Sequence, residues 1–460
     1  MNKHYHLIGI GGIGMSGIAQ LLLRKGQKVS GSDLKASRIT EELEKSGARI
    51  FVGHHLANMR QTEVVVYSSA IKEDNLELRE ARRLGLPILK RAEALAELME
   101  DKTVITVTGS HGKTTTASLV ATLLLEAGLQ PCVAVGGILK NIDANSYLGE
   151  GEFFVAEADE SDGSFLHYQP TYSIITNIDQ EHLDYYKEFN RELEVFKIYL
   201  NQTNEKGCVF CCDDDEHLKN LLKGYKGRSV LFGLHPSAHI YPENIKRKGL
   251  RSEFDCFSGG RFLDTFELAL GGTHNISNAL SVIALGLELE IPLKLIRRAL
   301  KEFKGACRRL ETKFEDSDYL LIDDYAHHPT EIRATLEAVQ GLGRSRIIVI
   351  FQPHRYSRTQ LLLDEFAKCF DLADMVILTD IYPASEPPIP GISSQCILDK
   401  IKQHAPEKKV FLWSKEQIAQ EILKWLRPKD LVLTLGAGDI ARLSDSLSER
   451  LQTAKRKSRA

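Results

Sequence analysis

The stretch Val104-Ile-Thr-Val-Thr-Gly-Ser-His-Gly-Lys-Thr-Thr-Thr116 decides the reading of this chain. An apolar strand enters a glycine turn, Lys113 and three threonines follow, and an apolar-periodic stretch to Leu125 reads as a helix. Strand, glycine loop, Lys-Thr and helix together hold a nucleoside triphosphate. Backbone N–H groups and the positive helix end face the phosphates, Lys113 reaches the terminal ones, and the Thr114 or Thr115 hydroxyl sits on Mg2+. Val107 stands where the strict P-loop pattern has its first glycine, so the loop is the variant Gly109-Ser110-His111-Gly112-Lys113-Thr114-Thr115. The bland alternative is an ordinary strand-to-helix turn with a stray lysine.

Outward from this loop, the 460 residues suggest roughly three domains. A net charge of −3 with 26% charged residues argues against nucleic acid or an anionic membrane as the main partner. No apolar run approaches the ~18 residues of a membrane span. The N-terminus opens on a strand without a signal-peptide pattern, so a cytoplasmic enzyme is expected. The eight cysteines include Cys208-Val-Phe-Cys211, but no second pair follows at zinc spacing, and core packing is the simpler reading.

The first segment, 1–102, alternates strand and helix and predicts a Rossmann-like parallel sheet. Its loop Gly9-Ile-Gly11-Gly12-Ile13-Gly14 fits a dinucleotide fingerprint, with Asp33 about 20 residues on at the end of the second strand. The pattern implies a diphosphate on a helix N-terminus: NAD, a nucleoside-diphosphate sugar, or no ligand at all. Ser68 and Ser69 close the fourth strand at the carboxyl edge where such a ligand lies.

The second segment, 103–310, holds the P-loop. Strands are expected at 131–135, 151–157, 171–177 and 207–212, and short strands with many turns over 225–272. Ala156-Glu-Ala-Asp-Glu-Ser-Asp162 and Thr176-Asn-Ile-Asp-Gln-Glu-His182-Leu-Asp184 both follow strands. Carboxylates gathered there suit a cation, although either cluster alone reads as a solvated acidic loop. An amphipathic helix from Thr273 carries Asn275 and Asn278 on its opening turns.

The third segment, 311–460, is a second Rossmann-like layer, with a helix expected at 360–369. Asp323-Asp-Tyr-Ala-His-His-Pro-Thr-Glu331 replaces the glycine fingerprint after its first strand. Later strands end in Gln352-Pro-His-Arg-Tyr-Ser-Arg358 and Gly436-Ala-Gly-Asp439, so polar side chains collect at carboxyl ends.

Seven ordered motifs, Gly9–Gly17, Ser68–Ile71, Thr108–Thr116, Glu157–Phe165, His274–Asn278, Asp323–Glu331 and Gln352–Thr359, resemble those of the Mur ligases of bacterial peptidoglycan synthesis. The resemblance spans nearly the whole chain. It implies three α/β domains binding UDP-sugar, ATP and amino acid in turn: a Rossmann-like domain, a P-loop domain with a smaller β-rich part, and a second Rossmann-like domain. The motif details point to the branch that joins L-alanine to UDP-N-acetylmuramate. The resemblance puts the UDP pyrophosphate on Gly11, Gly12, Ile13 and Gly14 with Asp33, Ser68 and Ser69 nearby. It puts ATP on Gly109–Thr115 with Asn275, Arg309 and Asp323 or Asp324. Mg2+ falls to Thr114, Thr115, Glu157 and His182, and Lys113, Glu157 and His182 carry catalysis. His327, His328, His354, Arg355 and Tyr356 line the alanine and muramate end, and the chain is taken as a monomer or weak homodimer. Lys197 stands where related ligases carry a carbamylated lysine, against the simpler reading of an exposed helical lysine. The amine's proton falls to a histidine such as His182, His327 or His354. The rivals are an NAD oxidoreductase, a nucleotide switch, and a recycling ligase that adds a ready-made peptide to the same UDP-sugar.

Overall fold

The computed structural model describes residues 2–68, 70–181, 183–384 and 386–459. Three sheets organise it. The first has the order β3-β2-β1-β4-β5 and is parallel throughout. Its strands are β1 (His4–Ile8), β2 (Lys28–Asp33), β3 (Arg49–Val52), β4 (Val64–Tyr67) and β5 (Ile88–Lys90). Strand order reverses between β1 and β4, and a doubly wound sheet opens its ligand crevice at that point.

The second sheet comprises β6 (Thr103–Thr108), β7 (Cys132–Leu139), β8 (Ala144–Tyr147), β9 (Phe153–Glu157), β10 (Tyr172–Ile175), β11 (Cys208–Cys212), β12 (Ser229–Phe232), β13 (Ile240–Lys248), β14 (Arg251–Ser258) and β15 (Arg261–Leu268). Its order is β15-β14-β13-β12-β11-β10-β6-β9-β7-β8. β6 lies parallel between β9 and β10, with Val107 opposite Glu157 and Thr108 opposite Ile175. The loops leaving β6, β9 and β10 therefore emerge side by side. Five of the six β6 residues are buried, as are eleven of the fourteen residues of the helix Lys113–Glu126 that follows. A helix buried on nearly every side needs no polar face, which is why its sequence reads as apolar all round after the threonines.

The third sheet has the order β16-β17-β21-β18-β19-β20. It contains β16 (Glu311–Glu315), β17 (Tyr319–Asp324), β18 (Arg346–Phe351), β19 (Met375–Leu378), β20 (Lys409–Leu412) and β21 (Asp430–Leu435). β17, β21 and β18 run parallel, and β16 pairs antiparallel on the edge.

The chain divides into two compact units. One contains residues up to Glu243 with Asp255–Phe266 and Ser277–Lys304; the other contains Asn244–Phe254, Glu267–Ile276 and everything from Gly305.

Two expectations are corrected. The region 225–272 carries longer strands than expected, of nine, eight and eight residues, in β13, β14 and β15. The helix expected at 360–369 is two helices, Tyr356–Leu361 and Leu363–Lys368, because Leu362 leaves the helical region at φ −111° and ψ 25°. Short elements with weak periodicity, among them β5, β8, β16 and the helices Leu76–Arg83 and Glu216–Leu222, are not foreseen by the sequence pattern. Lys197 is exposed on the helix Phe189–Leu200, as the simpler of its two readings has it. Cys208 and Cys211 are buried in β11, where burial pushes the Cys208 thiol up to about 11.

Candidate active site

In the first unit two glycine loops present bare helix N-termini. The first leaves β1 at Gly9, which has φ +81°. The Asp33 carboxylate accepts the Gly11 N–H at 2.9 Å, which ties the loop to the end of β2. A Cβ on Gly11 would lie 2.9 Å from that same oxygen, so the brace requires glycine. The helix Ile13–Arg24 starts after Gly12, which offers no side-chain cap, so its first N–H groups are open to an anion. They face a cavity of about 300 Å3 that Ser68, Arg91, Gly136 and Asn145 also line. Arg91 opens the helix Arg91–Met99 and sets its side chain against Gly14. No sequence signal singled it out. Ser69 lies outside the described residues.

The second loop is held more tightly. Gly109 has φ +120°, and a Cβ there would meet Thr176 Oγ1 at 2.4 Å. Gly112 has φ +85° and packs on Asn278. The loop after β10 grips the P-loop from one side. Asn177 Oδ1 accepts the His111 N–H at 2.9 Å, Ser110 N–H donates to the Asn177 carbonyl at 3.0 Å, and Asp179 pairs with His111 Nε2 at 2.9 Å. On the other side the Thr114 hydroxyl lies 3.1 and 3.0 Å from the two Glu157 oxygens, and Gly136 N–H donates to Glu157 at 2.7 Å. A hydroxyl and a carboxylate in contact beside a phosphate loop form an all-oxygen donor set that suits a hard divalent cation such as Mg2+. Thr115 is buried at 7% exposure. Thr114, not Thr115, is the hydroxyl in contact with Glu157. His182, the remaining expected metal ligand, lies outside the described residues.

Lys113 Nζ forms a 2.7 Å ion pair with Glu160, whose side chain is fully buried. Burial alone lowers a lysine pKa, but Glu160, Asp159 and Glu157 outweigh it and hold the ammonium well above its ordinary value. Glu160 sits in the acidic run already suspected of metal binding; its pairing with Lys113 is invisible to spacing.

The second unit gathers the other expected residues at the carboxyl ends of β17, β18 and β21. Asp323 is fully buried, with Arg308 Nε at 2.9 Å and the Thr434 hydroxyl at 2.7 Å. Both of its oxygens are engaged, and one of them holds Arg308. Arg308 and Arg309 both lie over the Tyr325 ring, at 5.2 and 5.0 Å. Burial pushes Asp324 up to about 6 against the opposing pull of Arg309. His328 is 4% exposed and caps the helix Pro329–Val339 in a reciprocal pair with Glu331. Asn275 is buried and donates to the Gly271 carbonyl at 2.7 Å.

His327, His354 and Tyr382 form a ring cluster, with His354 stacked on Tyr382 at 5.6 Å and edge-on to His327 at 5.5 Å. Burial, then His327, Arg358 and Arg355, force the His354 pKa down to about 2, which keeps that imidazole neutral. Arg355 has φ +69°, donates its N–H to the Tyr382 carbonyl at 2.8 Å and starts the helix containing Tyr356.

Profiles of three Mur ligase domains match in order: the "Mur ligase family, catalytic domain" over residues 4–103, the "Mur ligase middle domain" over 107–286 and the "Mur ligase, glutamate ligase domain" over 308–438. The UDP-N-acetylmuramate--L-alanine ligase of Desulfotalea psychrophila is 46% identical over 452 residues, covering 98% of both chains. That of Geotalea uraniireducens is 44% identical over 97% of this chain and 98% of its own. Among solved structures, the UDP-N-acetylmuramate-alanine ligase of Thermotoga maritima superposes with a TM-score of 0.84 at 32% identity, over 98% of this chain and 99% of that one. A murein peptide ligase from Psychrobacter arcticus shares the fold alone, with a TM-score of 0.72 at 24% identity over 97% of this chain and 99% of that one. With two glycine loops, an acidic strand end against the second, and matching profiles along the chain, this protein belongs to the Mur ligase family.

Proposed function

We propose that the chain is an ATP-dependent ligase joining L-alanine to the carboxylate of UDP-N-acetylmuramate, with release of ADP and phosphate, in peptidoglycan precursor synthesis. The observation that carries this is the contact of Thr114 with Glu157 beside Lys113, in a chain that matches alanine-adding ligases from end to end.

In this reading the first loop, Gly11 to Gly14, holds the UDP diphosphate on the helix N-terminus, with Asp33 bracing it and Ser68 lining the same cavity. The second loop, Gly109 to Thr115, holds the ATP phosphates. Thr114, Glu157 and His182 would hold Mg2+, which supplies charge neutralisation when bound. The muramoyl carboxylate oxygen attacks the γ-phosphorus, the bond to the ADP oxygen breaks, and an acyl phosphate forms. The alanine amine then attacks the acyl carbon and phosphate leaves with the bonding pair. Phosphoryl transfer asks the protein to place groups and offset charge, and Lys113 is the cation positioned for that. Asn275 and Arg309 serve the nucleotide. His327, His354, Arg355 and Tyr356 serve the muramate and alanine end. The amine proton falls to a histidine such as His182, His327 or His354, and the lowered pKa of His354 counts against it as that base.

The decisive assay is phosphate release with UDP-N-acetylmuramate, ATP and single amino acids. Release with alanine supports the reading. Release only with a preformed peptide favours a recycling ligase instead. Among the described residues no helix is long and apolar enough to cross a membrane.

A further inference from the structure

The three N–H bonds of the Lys113 ammonium have three acceptors: the Gly109 carbonyl at 2.6 Å, the Ser110 carbonyl at 3.2 Å and Glu160 Oε1 at 2.7 Å. The lysine is thus folded back into its own loop with every donor used. Glu160 is held in place on both sides. The Thr108 hydroxyl lies 3.5 Å from its second oxygen, and the hydroxyl of buried Tyr186 donates to its carbonyl. Next to this pair Glu192 is fully buried with neither oxygen hydrogen-bonded. Burial, then Glu160 and Glu181, push the Glu192 carboxyl up to about 9, so at neutral pH it is an uncharged acid. The countercharge facing Lys113 in contact is therefore Glu160.

We propose that Glu160 is a positioning residue that holds Lys113 within the phosphate loop and competes with nucleotide phosphate for it. The proposal rests on the nucleotide-loop reading above. Phosphate binding exchanges one partner of Lys113 for another, and the buried Glu160 carboxylate gives up its contact with that ammonium, which costs free energy. Nucleotide affinity is then set by the difference between two ion pairs. The Thr114–Glu157 pair lies outside this exchange and stays available to a cation.

The test is titration of the full-length protein with ADP in EDTA, and with inorganic pyrophosphate, for wild type, Glu160→Gln and Glu160→Asp, with melting temperatures recorded alongside. Glu160→Gln removes the competing charge and should tighten metal-free ADP about tenfold. Glu160→Asp lengthens the ion pair and should tighten it by a smaller factor, which keeps the proposal testable if the glutamine variant fails to fold. A residue that merely supports the loop would weaken binding, and a cation ligand would leave metal-free binding unchanged while raising the Mg2+ needed. Either result in a variant that melts like wild type overturns the proposal. A wild-type protein that binds neither probe overturns the nucleotide-loop reading as well.

Discussion

The two glycine loops of the first unit solve one problem in two ways. Both place an uncapped helix N-terminus where an anion can sit. The loop after β1 has no cation among its own residues and is held by an outside carboxylate, Asp33, bonded to its backbone. The loop after β6 has its own cation, which a buried carboxylate restrains. A diphosphate that only has to be held is served by backbone dipoles and a rigid loop. A triphosphate that has to react needs a movable charge, and a movable charge in a buried place needs a counter-ion.

This contrast can be broken in several ways. Lys113→Ala should lower turnover by about a thousandfold, because charge stabilisation at the transferring phosphoryl group is lost. UDP-sugar binding should change by less than about threefold, since the first loop uses backbone donors. Phosphate release and direct titration read the two effects, and retained turnover would sink the role of Lys113.

Gly109→Ala should destabilise the protein by about 3 kcal/mol, through a positive φ and a collision with a packed side chain. Calorimetric melting checks this, and a melting temperature equal to wild type would show that the second loop is looser than its geometry implies.

The first loop's support also depends on pH. Fully buried Glu77 lies beside His6 and accepts from Ser32 at 2.5 Å, from Asn58 at 2.6 Å and from the His55 backbone at 3.2 Å. Ser32 adjoins Asp33 on β2. Burial raises the Glu77 pKa, but His6, Ser32 and Asn58 outweigh it and bring it from 4.5 to about 2. A depressed folded value stabilises above the unfolded one and is lost as pH falls through 4.5 toward about 2. Wild type should lose on the order of 2 kcal/mol over that window that Glu77→Gln never had. Parallel stability curves for the two proteins would refute this.

The smallest effect expected is from Gly11→Ala. The new methyl presses on Asp33, and UDP-sugar binding should weaken about tenfold while ADP binding holds. Equal losses at both sites would mean that the two loops are not separately built.

Much of the first unit is legible in the sequence because its signals are local. Glycines at fixed offsets after an apolar strand mark both loops, and the Lys-Thr run marks the second. Asp33 is legible as an acid at the end of β2, but its bond to Gly11 depends on β1 and β2 being neighbours. Asp323 and His328 show the same limit from the other side: their motif marks them as polar residues at a strand end, and only the structure shows the contacts with Arg308 and with the helix N-terminus. Arg91 left no trace in the pattern because a lone arginine at a helix start looks like any surface cation.

The sequence by itself determined the alternation of strands and helices, the two glycine loops and the collection of polar residues at strand ends, since each is written within a few consecutive residues. Only the tertiary structure decided which strand ends meet. β9 and β10 flank β6, so Glu157 and Glu160 reach one side of the P-loop and Asn177 and Asp179 the other, across 43 to 69 positions of sequence. Strand order is a property of packing between distant segments, and no local periodicity encodes it. The pairing of Lys113 with Glu160 follows from that order, and through it the competition proposed for the second loop.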